Sequence, residues 1–180
     1  MIYMFLADGF EEIEAIATLD VLRRANISVE TVSIDKKEVK GAHNIKIITD
    51  KDINEISKQD IDGIILPGGM PGTLNLENSA KVQELITYAY KNGKLIGAIC
   101  AAPSILGHMG LLQDKKATCF PGFEKDLFGA EVTSESVVRE ENIITAKGAG
   151  VAIDFGAEIV SYIKDSITAD NLKEAMQCRK

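Results

Sequence analysis

The chain has 180 residues, 46% apolar and 26% charged, the balance of an ordinary soluble globular protein. Its length suits one domain spanning 1–180 that buries roughly 70% of its unfolded surface. The formal net charge of −7 argues against a nucleic-acid surface, and the opening MIYMFLADGF has neither the basic leader of a signal peptide nor the length of a membrane span.

In chain order, Met1–Ala7 reads as an apolar strand and Glu11–Ala25 as a helix with apolar positions at Ile13, Ile16, Leu19 and Leu22. Asp8 and Glu11 resemble a capping-box pair, and Asn26 suits the helix end. Ser28–Ile34 alternates as a strand, and Ile45–Ile48 is a short one. DGIILP at Asp62–Pro67 is a buried run, followed by GGMPG and a helix from about Leu76 to Lys91. Leu95–Ile99 forms another buried run. Ala101, Ala102 and Pro103 then open a helix, since proline suits a first helical turn. Ala117–Phe120 is a weak strand, Glu131–Arg139 and Asn142–Ala146 a pair of sheet strands, and Ala152–Ile163 and Ala169–Cys178 helices. Strands alternating with helices predict a three-layer α/β sandwich, flavodoxin-like, with a mostly parallel central sheet.

In such sheets, function gathers beyond the carboxyl ends of the strands. ADGFEEIE, LPGGMPG and AICAAP all fall at that edge. Cys100 sits where a buried strand turns into a helix. A buried cysteine is usually packing, yet here helix N-terminal amides and dipole would favour the thiolate and lower its pKa. The strand-to-helix elbow of serine hydrolases uses the same placement. Glu11 and Glu12 are sufficiently explained as acids at a helix start. Glu14 lies closer to the buried stripe, where a carboxyl beside a thiolate would take up a proton and could donate or shuttle it. Gly68 and Gly69 make a tight turn or, functionally, leave the Gly69 amide free to join that of Ala101 in a two-donor oxyanion hole. No Walker loop or GxGxxG is present, so a nucleotide cofactor has no support.

Three widely spaced cysteines, Cys100, Cys119 and Cys178, without a CxxC pair, indicate free thiols in a reducing, cytoplasmic setting. Cys119 and Cys178 read as packing or surface residues, with Cys119 as resolving thiol the remote alternative. No cofactor is implied, and no metal site, because cysteines and histidines lack ligand spacing.

ADGFEEIEAIATLDVLRRA, LPGGMPG, AICAAPSIL and AKGAG, in that order, resemble the ThiJ/PfpI superfamily, and within it the DJ-one-like branch. The likeness runs over essentially the whole chain. It implies a flavodoxin-like fold, a homodimer and an oxidisable elbow cysteine, Cys100, with Glu14 as its protonated carboxyl partner. The implied backbone donors are Gly69 and Ala101. Activities in the family include glutathione-independent glyoxalases, deglycases, oxidative-stress sensors, chaperones and, in a related branch, intracellular proteases or amidases. Many members carry a histidine where KATCFPGF places Phe120, and His43 falls roughly where relatives line the site with arginine. His108 lies two turns beyond Cys100. A Cys-His dyad of the protease type is therefore disfavoured, and Phe120 would make the pocket more apolar. Two readings follow, an enzyme acting on a small carbonyl substrate such as an α-oxoaldehyde or its adducts, and a sensor whose Cys100 meets an oxidant. Neither calls for a nucleic acid or a membrane.

Overall fold

The computed structural model describes residues 1–178. Eleven strands and six helices follow in the order β1 (Ile2–Leu6), α1 (Glu12–Arg24), β2 (Val29–Ser33), β3 (Glu38–Lys40), β4 (Lys46–Ile48), β5 (Lys51–Asp52), β6 (Gly63–Leu66), α2 (Gly72–Glu77), α3 (Ala80–Lys91), β7 (Leu95–Ile99), α4 (Pro103–His108), β8 (Lys116–Ala117), β9 (Glu131–Val132), β10 (Val137–Glu140), β11 (Ile143–Ala146), α5 (Ala152–Ile163) and α6 (Ser166–Ala175). The main sheet runs β10-β11-β7-β6-β1-β2-β5. Every neighbouring pair in it is parallel except β10–β11. From β1 the chain moves outward to β2 and β5, then returns to add β6, β7 and β11 on the other side. The order therefore reverses at β1–β6, the position where a crevice opens above a doubly wound sheet.

The central strands β1, β6, β7 and β11 are buried along their whole length, as strands covered by helices on both faces must be. Alternate side chains feed two cores. Tyr3, Phe5, Ile64, Leu66 and Ile96 pack with Val82 and Leu85 of α3. Met4, Leu6, Ile65 and Ile99 pack with Val21 and Leu22 of α1 and Phe155 and Ile159 of α5. A Cβ at Gly156 would stand 2.9 Å from Val21 Cβ, so the missing side chain is what lets α5 lie directly on α1. No helix among the described residues is long and apolar enough to cross a membrane.

Several elements differ from the sequence expectation. The helix expected over 76–91 is two helices, because Ser79 accepts from the Val82 amide and starts α3 afresh. The strand expected over 131–139 is split between β9 and β10. Asp8 caps nothing in α1: its Oδ1 accepts from the Lys40 amide at 2.8 Å, and Glu11 occupies the N-cap without a side-chain bond. Asn26 follows the end of α1 at φ 54°, as its tolerance of the left-handed region allows. Ile13 and Ile16 are 57% and 41% exposed while Leu22 is buried. The buried face of α1 instead carries Glu14, Ala15, Thr18, Val21 and Leu22.

Candidate active site

At the end of β7 the chain must reverse within three residues before α4 begins at Pro103. Cys100 makes that reversal at φ 66°, a region that costs a residue with a Cβ about 1–3 kcal/mol. Backbone bonds on both sides hold it there. The Cys100 amide donates to the Ala146 carbonyl at 2.8 Å, and its carbonyl accepts from the Phe120 amide at 2.8 Å. The elbow is thus braced by β11 and by the segment after β8.

Glu14 reaches this point from the first turn of α1 and is 1% exposed. Its Oε2 accepts from the Gly68 amide at 2.8 Å. Its Oε1 is buried without a hydrogen-bond partner, and the Cys100 thiol and the Gly68 and Ala149 amides favour the charged carboxylate. Two glycines make room for the pair. A Cβ at Gly68 would lie 2.6 Å from Cys100 Cβ and 2.9 Å from Glu14 Oε2. One at Gly148 would lie 3.2 Å from the Phe120 ring, 3.7 Å from Glu14 Oε1 and 3.8 Å from Cys100 Sγ. Those distances bring Phe120, Glu14 and Cys100 to one spot.

The loop after β6 delivers the other donor. Gly69 stands at φ 89°, where glycine carries no steric penalty. A Cβ on it would lie 2.4 Å from Glu11 N and 2.5 Å from Gly9 O. Gly9 (φ 88°) and Gly72 are equally tight: their added Cβ atoms would lie 2.6 Å from Pro71 N and 2.6 Å from Phe10 N. The Met70–Pro71 peptide within this loop is cis. The backbone amides of Ala101 and Gly69 favour the anionic form of the Cys100 sulfur.

Burial dominates the electrostatics. It raises the Glu14 carboxyl to about 7, against the opposing pull of Cys100, Gly68 and Ala149. Burial first, and then the Glu14 carboxylate, push the Cys100 thiol up to about 12, opposed by the Ala101 and Gly69 amides. This reverses the lowered thiol pKa expected from the sequence. The helix invoked for it starts only at Pro103 and has six residues, and burial and the Glu14 carboxylate outweigh it at the sulfur. Above pH 7 the pair holds one negative charge and shares one proton between sulfur and carboxyl.

Neither histidine hydrogen-bonds the thiol. His43 lies in the β3–β4 hairpin, where its Nδ1 is 2.9 Å from Glu12 Oε2 and its amide donates to Glu12 Oε1 at 2.7 Å. His108 Nδ1 pairs with Glu77 Oε1 at 2.5 Å and its ring meets Phe128. Phe120, 48% exposed, stands at the mouth of the site. Cys119 is buried in the α3 core whereas Cys100 packs against the α1–α5 core, so the two thiols leave the chain toward opposite layers. Sequence spacing gave no hint of one cluster. Glu11, Glu12 and His43 bring three metal-type donor atoms within 4.8 Å of one another. Hydrogen bonds from His43 already engage Glu12, and the hairpin that joins residues 31 positions apart is what sequence periodicity missed.

Known proteins share this sequence pattern and fold. A model of the DJ-1/PfpI family matches residues 1–162. Protein dj-1beta of Drosophila melanogaster is 35% identical over 163 residues, covering 89% of this chain and 87% of that protein. The glutathione-independent glyoxalase DJR-1.2 of Caenorhabditis elegans is 34% identical, covering 86% and 83%. The structure of oxidised Toxoplasma gondii DJ-1 superposes with a TM-score of 0.94 at 30% identity, over 99% of this chain and 98% of that one. The chain spans less than half the length of two Arabidopsis thaliana relatives, 37% of DJ-1 homolog B and 45% of homolog A. An elbow cysteine and its carboxyl partner on a doubly wound sheet, together with these matches, establish that the chain belongs to the DJ-1/PfpI family.

Proposed function

We propose that this chain is a cysteine-dependent, glutathione-independent glyoxalase or deglycase acting on small α-oxoaldehydes or their adducts. The observation that carries the reading is one buried carboxyl, Glu14, raised to about 7 beside the Cys100 thiol, with the Gly69 and Ala101 amides favouring a negative sulfur. Glu14 as carboxylate takes the thiol proton while sulfur attacks the aldehyde carbon, so no standing thiolate is required. The C=O π bond breaks, and the Gly69 and Ala101 amides receive the oxyanion. Glu14 returns the proton to that oxygen, giving a hemithioacetal. It then removes the C1 proton to give an enediolate and returns that proton to C2, while the hydroxyl proton on the C1 oxygen passes to the C2 oxygen, leaving a thioester of the 2-hydroxyacid. Water cleaves the thioester, releasing lactate when the substrate is methylglyoxal and restoring the thiol.

A C. elegans relative named as a glutathione-independent glyoxalase supports this reading. Measuring lactate formation from methylglyoxal without glutathione tests it. Wild-type turnover lost in both Cys100→Ser and Glu14→Gln supports the enzyme; wild type no faster than Cys100→Ser sinks it for this substrate. The second reading is a redox sensor, favoured by the match to a DJ-1 structure in oxidised form. Cys100 would pass to sulfenic and then sulfinic acid, held by the same amides and protonated Glu14. A peroxide-driven mass gain at Cys100 without turnover would select it. A protease role lacks an imidazole on the thiol, with His43 and His108 paired to Glu12 and Glu77. The chain as one unit in a reducing compartment, dimerised through exposed Ile13 and Ile16 of α1, completes the proposal.

A further inference from the structure

A cavity of about 400 Å³ opens at the same carboxyl edge of the sheet, on the β2 side of β1, away from Cys100. Cys100, Glu14, Gly69 and Ala101 are not among the residues that line it. It lies between the carboxyl ends of β1 and β2, one strand over from the reversal at β1–β6, and its volume suits a small molecule. Leu6, Ala7, Ile34 and Val39 contribute apolar wall, and the rest of the lining is polar.

The polar groups fall into two sets. Asp8 and Asn75 are fixed, since Asp8 Oδ1 accepts from the Lys40 amide and Asn75 Nδ2 donates to the Asp8 carbonyl, both at 2.8 Å. Asp8 Oδ2 has Lys36 Nζ at 3.5 Å, and Asn75 keeps its Oδ1. Asp35 and Asn78, by contrast, make no side-chain hydrogen bond or ion pair in the described structure. Two carboxylates against one ammonium disfavour an anion such as phosphate. Amide, carboxylate and ammonium groups mix donors with acceptors, and beside them lies apolar surface. A hydroxylated ring matches both, because each hydroxyl donates and accepts while its C–H face is apolar.

We propose that this cavity binds a neutral polyhydroxylated small molecule of sugar-ring size, whether a free sugar or the ribose of a nucleoside. It is a site separate from Cys100 and does not depend on the activity proposed there. Isothermal titration of the full chain with D-ribose, adenosine and adenosine monophosphate tests it. Saturable binding of ribose or adenosine is expected, with the monophosphate weaker than adenosine. Removing two polar partners in Asp35→Ala/Asn78→Ala should weaken binding by about tenfold or more. Asn78→Trp, which fills the space, should block it, and both variants should keep wild-type circular dichroism and Cys100 labelling by iodoacetamide. Adenosine tighter than ribose assigns the nucleoside; equal affinity assigns the sugar alone. Absence of saturable binding by either, affinity unchanged in both variants, or a monophosphate tighter than adenosine would overturn the proposal.

Discussion

Cys100 and Cys119 are both half-hidden from or closed to solvent, and burial raises both thiols, to about 12 and about 11. Their surroundings are otherwise opposite. Around Cys119 the other influences are the carboxylates of Glu124 and Asp126, which only disfavour a negative sulfur. Around Cys100 two backbone amides favour it, and the single carboxylate is itself raised to about 7. A high resting thiol pKa therefore does not by itself tell the proposed nucleophile from a packing cysteine. What separates them is a place for the proton to go and donors for the charge that results.

The largest expected effect breaks the pair directly. Glu14→Gln should lower kcat/KM for methylglyoxal by about a thousandfold, Cys100→Ser at least as much, and Cys119→Ser by less than about twofold. Comparable losses at Cys100 and Cys119 would erase the contrast. Gly68→Ala comes next. Its Cβ would meet Cys100 Cβ at 2.6 Å, and displacing the thiol should cost about a hundredfold in kcat, read by steady-state kinetics.

The third effect is on stability. Glu14 is raised from 4.5 to about 7 in the fold, so the folded state binds more protons than the unfolded chain between those values. Its contribution to stability is full below about pH 4.5 and is lost as pH rises through 7, by ~3 kcal/mol at most. Denaturant titrations across that window should show the decline, and Glu14→Gln should flatten it. A wild-type slope retained in the variant would assign it to other groups.

Smaller again is the labelling rate. Removing the Glu14 charge lowers the Cys100 pKa, so iodoacetamide at pH 8 should modify Cys100 of Glu14→Gln about tenfold faster than wild type. Cys119 should stay unlabelled in both until the protein unfolds. Slower labelling in the variant would mean that Glu14 supplies the anion instead of opposing it. The smallest effect concerns φ. Because Cys100 stands at 66°, Cys100→Gly should exceed Cys100→Ala in stability by about 1 kcal/mol, measured by thermal unfolding.

The buried runs made the sheet legible in the sequence. Apolar stretches at Ile64–Leu66 and Leu95–Ile99 can hardly be anything but central strands. The elbow was legible because such a run stops at Cys100 and a proline follows at Pro103. Short edge pieces such as β3 and β5 carried no such signal, since Glu38–Lys40 and Lys51–Asp52 are mostly polar and exist through the strands they pair with. The same is true of Glu12 and His43. Glu12 looked like one more acid at a helix start, and only the hairpin reveals that its carboxylate organises His43 and Ile45. The thiol pKa was misread for a related reason. Local sequence announces a helix start, whereas the desolvation that outweighs it comes from layers far along the chain.

The interlock of Gly9, Gly69 and Gly72 bears on how this protein can change over time. Main chain meets main chain there, with added Cβ atoms within 2.4–2.6 Å of neighbouring backbone at each of the three. The position of the Gly69 amide is consequently written in backbone contacts, and side chains nearby contribute little to it. Substitutions at Phe120, beside the site and half exposed, can retune what it admits while the donor stays where it is. Any side chain at the three glycines would move the donor itself. A library of variants should divide accordingly, into a permissive ring of residues that alters substrate preference and three positions that accept nothing but glycine.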